Sequence, residues 1–64
     1  MIVNGVAHDA AAPQSVRQLI VSLGIEPRGI AVAINGEVVR RSSWDDTMVA
    51  TNDVIEIVTA VAGG

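Results

Sequence analysis

The sequence has no cysteine, no lysine, no phenylalanine and no tyrosine, and its 64 residues include one tryptophan and two prolines. Without cysteine there is neither a disulfide framework nor a thiolate metal site, which fits a reducing compartment. Without lysine the chain offers no side-chain amine for isopeptide-linked chains on itself. Its four basic residues, Arg17, Arg28, Arg40 and Arg41, are scattered through a chain of net charge −3. A nucleic-acid binder presents a basic face to the phosphates, so no nucleic-acid partner is expected. No apolar run approaches the ~18 residues of a membrane span. Met1–Gly5 lacks the basic region and long apolar stretch of a signal peptide. The expected compartment is the cytoplasm, with no membrane partner.

What is present suffices for one domain, read as 1–64 with a flexible tail over about 59–64. Half of the residues are hydrophobic, so a core can form without disulfides or metal. At about 0.05–0.15 kcal/mol per residue, a chain of this size gains roughly 3–10 kcal/mol on folding.

Met1–Val3 leads into Asn4-Gly5, a pair suited to the positive φ angles of a type I′ turn, and Val6–Asp9 returns as a second short strand. Ala10–Gln14, with Pro13, reads as a loop. Ser15, followed three residues later by Gln18, forms a capping box. Val16, Leu19, Ile20 and Leu23 fall on one helical stripe, Gly24 supplies the left-handed residue after the helix, and Pro27 prevents its resumption. The spacing predicts a helix of about two and a half turns.

Ile30–Ile34 alternates β-branched residues with Ala31 and Ala33, and Asn35-Gly36 turns it into Glu37–Arg40 as a second hairpin. Arg41–Thr51 is polar and irregular, with Trp44 as a core plug whose indole N–H needs an acceptor. Asn52-Asp53 is turn chemistry, and Val54–Val58 is the last strand, with Ile55 and Ile57 on one face and Glu56 and Val58 on the other. Hairpin, helix, hairpin, crossover and strand make an α+β fold, a mixed sheet packed on one main helix. Edge hairpins around a central last strand would give a β-grasp.

The side chains carry no catalytic constellation. His8 is the only histidine and is assigned to an edge strand. Asp45-Asp46 are adjacent loop carboxylates, and Ser42-Ser43 has no partner base. No metal-ligand spacing occurs, no catalytic residue is assigned and no bound cofactor is expected. The ending Gly63-Gly64 is different, since composition alone gives two terminal glycines in about one chain in 200. Extended, 60–64 spans about 16 Å and could thread into another protein's active site. Glycine lacks a Cβ, so its backbone fits a narrow channel and its carboxylate is unhindered.

The chain resembles the ThiS group of ubiquitin-like sulfur carriers for thiamine thiazole synthesis along its whole length. The matching pieces are Asn4-Gly5, Val32-Ala33-Ile34-Asn35-Gly36-Glu37-Val38-Val39, Arg41 followed by Trp44, Asn52-Asp53-Val54-Ile55-Glu56-Ile57-Val58, and Ala60-Val61-Ala62-Gly63-Gly64. The resemblance implies a β-grasp fold and a carrier that is not itself an enzyme. It also implies that Gly64 is adenylated at the expense of ATP by an activating enzyme of the ThiF type. Sulfur would then arrive from a persulfide donor, and the resulting thiocarboxylate would serve thiazole synthase, the ThiG type. Val61, Ala62 and Gly63 would enter the partner's active site with Gly64.

Asn52 stands where the family often has glycine, and asparagine tolerates the left-handed conformation such a turn requires. Thr59 and Ala60 stand where bulkier residues are frequent. Strand parity suggests a docking patch of Val58, Ala60, Ala31 and Ala33 flanked by Arg40 or Arg41, on a chain expected to be monomeric when free. The alternatives are a sulfur carrier for molybdopterin or another product, a ubiquitin-like protein modifier, and a plain interaction module.

Overall fold

The structure, a computed structural model, describes residues 1–9 and 13–59. Asn4 and Gly5 take φ of 50° and 81°, and Asn35 and Gly36 take 51° and 86°. These are the paired positive values of a type I′ turn, which matches the twist of the strands it joins. The first pair closes β1 (Ile2–Val3) onto β2 (Val6–Ala7). The helix α1 (Val16–Ser22) follows β3 (Gln14–Ser15), and the second turn closes β4 (Ile30–Ile34) onto β5 (Glu37–Val39). A 3₁₀ turn (Arg41–Ser43), β6 (Met48–Val49) and β7 (Val54–Thr59) complete the described chain.

The main sheet has the order β2-β1-β7-β4-β5. The last strand lies at its centre, parallel to β1 and antiparallel to β4. This is the expected β-grasp arrangement. Ile55 and Ile57 of β7, Val32 of β4 and Val3 of β1 are buried against Val16, Leu19 and Ile20 of α1.

Both halves of the capping box form. The Gln18 backbone N–H donates to Ser15 Oγ at 3.1 Å, and the Ser15 N–H donates to Gln18 Oε1 at 2.9 Å. At the other end Gly24, at φ 71°, donates its N–H to the Val21 carbonyl, and Ile25 N–H reaches the Ile20 carbonyl. That pair of bonds is the Schellman closure. It ends the helix at Ser22, after about two turns rather than two and a half.

Trp44 is buried, and its Nε1–H donates to the Val39 carbonyl at 3.1 Å. The guanidinium carbons of Arg17 and Arg41 lie 5.6 and 4.7 Å from its ring centroid. Arg41 also donates to the Pro27 carbonyl, and Arg17 pairs with Asp45 at 2.7 Å.

Several expectations are corrected. Gln14 belongs to a strand rather than a loop: Gln14 and Ser15 pair with Val49 and Met48 in a two-stranded sheet of their own. The segment Arg41–Thr51 is therefore less irregular than its polarity implied, and Val49 is part of the core. A strand of two residues has no period to detect. His8 lies just past β2, where its N–H donates to the Met1 carbonyl. The second strand stops at Ala7, β5 stops at Val39, and β7 extends to Thr59.

Asn52 is also not left-handed, because among the described non-glycine residues only Asn4 and Asn35 have positive φ. The turn before β7 is closed by Asp53. Its Oδ2 accepts the Ala50 N–H at 2.8 Å, and its own N–H donates to the Ala50 carbonyl. Asp53 Oδ1 accepts from Asn35 Nδ2, while Asn35 Oδ1 accepts the Val54 N–H at 2.9 Å. The second hairpin turn is thereby tied to the start of β7.

Candidate functional site

Side chains alternate across a strand, so burying Ile55 and Ile57 turns Val54, Glu56 and Val58 to the outer face of the sheet. The register then sets their neighbours. Ala31 pairs with Val58 and Ala33 with Glu56 across β4–β7, Val38 pairs with Ala33 across β4–β5, and Ile2 pairs with Val54 across β1–β7. Four of these residues are exposed large hydrophobics: Ile2 at 42%, Val38 at 75%, Val54 at 43% and Val58 at 57%. Ala31 and Ala33 are half-buried between them. Among the described residues, the outer face of the three inner strands is apolar except at Glu56. This apolar face is open to solvent.

The structure thus brings together Val58, Ala31 and Ala33, as parity suggested. Arg40, exposed and extended just after β5, continues the outward parity of Val38 beside this face. Arg41 is set apart from it, held over the Trp44 ring and against Pro27. Ala60, Val61, Ala62, Gly63 and Gly64 lie outside the described residues. Among the described residues no cluster of three or more acidic, histidine or cysteine side chains could hold a metal ion. Among those residues, no helix is long and apolar enough to cross a membrane.

Reading residues singly did not reveal Ile2, Val38 and Val54, which join the face only once the strand order is known. It also missed the role of Asn4. The Asn4 backbone N–H donates to the Ile55 carbonyl at 2.9 Å, the last such bond before the chain turns away into β2. The Asn4 side chain then continues the ladder. Its Oδ1 accepts the Ile57 N–H at 2.8 Å and its Nδ2 donates to the Ile57 carbonyl at 2.9 Å. The available signal was the residue type, since only a carboxamide can replace both halves of a peptide group.

The central strand therefore leaves the described fold at Thr59 beside an apolar face, and the sequence then runs to Gly63-Gly64. Comparisons with known proteins agree with this architecture. The sulfur carrier protein ThiS of Escherichia coli is 34% identical over 64 residues, all of this chain and 97% of that protein. A thiazole synthase of Paramagnetospirillum magneticum is also 34% identical over 64 residues, but the chain spans only 20% of its length. The crystal structure of a thiamine biosynthesis protein (ThiS) from Geobacter metallireducens superposes with a TM-score of 0.83 at 32% identity. That match covers 98% of this chain and 96% of the other. The family model for ThiS matches residues 1–64, and the chain belongs to the ThiS family.

Proposed function

We propose that this chain is a sulfur carrier of thiamine biosynthesis that works through the carboxylate of Gly64. The observation that carries the reading is the placement of the last strand. It is the central strand of the sheet, and the sequence continues from it into five small residues ending in Gly63-Gly64. Such a segment can reach into a partner while the folded part docks outside.

A carboxylate is a poor acyl donor until its oxygen carries a better leaving group. In the proposed sequence the Gly64 carboxylate attacks the α-phosphorus of ATP and pyrophosphate leaves, giving an acyl-adenylate. A sulfur nucleophile derived from a persulfide then attacks the acyl carbon. AMP departs as the C–S bond forms, giving an acyl disulfide. A partner thiol then attacks the donor sulfur of its S–S bond, is oxidised to a disulfide, and releases the terminus as a thiocarboxylate. The adenylating enzyme is of the ThiF type, and the thiocarboxylate serves a thiazole synthase of the ThiG type. All acid–base chemistry belongs to these partners, so the carrier is their co-substrate and holds no metal or cofactor of its own. It acts as a single domain over 1–64, monomeric when free, in the cytoplasm.

The similarity to a thiazole synthase five times longer supports thiazole synthesis over molybdopterin as the destination of the sulfur. The apolar outer face around Val58, Ala31 and Ala33, with Arg40 beside it, supplies the docking surface. Ala60 and the segment Val61, Ala62 and Gly63 continue from it into the partner's active site.

The test is mass spectrometry after incubation with ATP, sulfide and an extract containing the native activating enzyme. Exchange of oxygen for sulfur adds about 16 Da, close to oxidation of Met1 or Met48, so C-terminal fragments must carry the assignment. The expected result is a gain confined to Gly64. No gain, together with no ATP-dependent adenylation in a competent extract, would refute the carrier reading.

A further inference from the structure

We infer that Asn4 is a positioning residue for the C-terminal segment: its side chain locks the backbone of Ile57 and so fixes where that segment leaves the fold. In a parallel ladder successive bonds alternate between carbonyl and N–H of the neighbouring strand. After Asn4 N–H bonds the Ile55 carbonyl, the next two bonds to β7 would come from a continuing β1 backbone. That backbone has turned away into the hairpin, and the two Asn4 carboxamide bonds to Ile57 take their place. The carboxamide acts as one further peptide unit of β1, two residues before the end of β7. Without it, β7 from Ile57 onward has only β4 as a neighbour, in the register Ile57–Val32, Val58–Ala31 and Thr59–Ile30, where the Ile57 N–H and carbonyl face away from β4 toward Asn4.

An internal control exists at the other end of the same strand. Asn35 has the same turn position and nearly the same φ, and it bonds the Val54 N–H in the same way. Loss of either carboxamide removes a comparable set of bonds. Only Asn4 holds the end of β7 from which residues 60–64 continue. This inference rests on the proposed use of Gly64, so its test separates the two.

Asn4→Gly and Asn35→Gly both keep the positive φ and remove the side chain. Asn4→Asp keeps the acceptor for the Ile57 N–H and loses the donor, which provides a milder variant should Asn4→Gly not fold. Two measurements apply to each protein. Amide hydrogen exchange reads the strand end directly: Ile57 N–H should exchange about tenfold faster in Asn4→Gly, and Val54 N–H in Asn35→Gly. Pyrophosphate release with ATP and an activating enzyme of the ThiF type reads the consequence. In Asn4→Gly, kcat should fall about tenfold or more with KM within about twofold, because docking is intact and the reacting carboxylate is misplaced. In Asn35→Gly, both constants should stay within about twofold of wild type at a matched loss of stability.

Unchanged exchange at Ile57, an unchanged kcat in Asn4→Gly, or equal falls in both variants would each overturn the positioning role. Failure of the wild-type chain itself to release pyrophosphate would instead overturn the carrier reading, and hydrogen exchange at Ile57 would then decide by itself whether the lock exists.

Discussion

Single residues with a local partner were readable in advance. Trp44 reads from sequence as a core plug rather than a binding aromatic, with an N–H that needs an acceptor once buried; it is buried, and the Val39 carbonyl supplies the acceptor. Replacing it by alanine should cost about 3–5 kcal/mol in chemical denaturation. With total stability of about 3–10 kcal/mol for a chain this long, that loss is about a third of the total or more, and the unfolding midpoint should fall accordingly. A cooperative transition at the wild-type midpoint would contradict the packing described. Asn4 and Asn35 were readable only as turn residues. Their side-chain bonds depend on the register of strands up to 53 positions away, and local sequence carries no information about that register.

At the scale of elements, what had a repeating pattern or a punctuating residue was legible. The Ser15/Gln18 box, the stripe Val16, Leu19, Ile20 and the stop at Gly24 describe one helix without ambiguity, and Asn-Gly marks both hairpins. The β3–β6 pair was not legible, because two residues each way give no period and the two strands meet only after the crossover has folded. The cap is the element's weak point. Ser15→Ala should lose the Oγ bond to Gln18 and destabilise the protein by about 1 kcal/mol. For a domain of 60–100 residues, thermal unfolding should then fall by about 4–8 °C. Ser15→Asp, which restores an acceptor, should recover most of that loss, and equal midpoints for the two variants would argue against the cap.

On the scale of the whole molecule, the order β2-β1-β7-β4-β5 turns unremarkable residues into a surface. Ile2, Val38, Val54 and Val58 are far apart in sequence and adjacent only across the sheet, so the parity of β7 was readable and the extent of the face was not. A charge at its centre tests its use: Val58→Glu should raise KM for activation by about tenfold or more, since an unpaired charge in a contact core is costly. The same change at an exposed site should leave thermal unfolding within about 0.5 kcal/mol of wild type. Equal KM values would remove the face from consideration. The placement of β7 has one more consequence, for synthesis. Because β7, the last of the described strands, lies in the middle, nothing in the sheet pairs across that gap until it is in place. A nascent or truncated chain ending before Ile57 offers two separate hairpins and a helix with nothing to cover, a substrate for proteases.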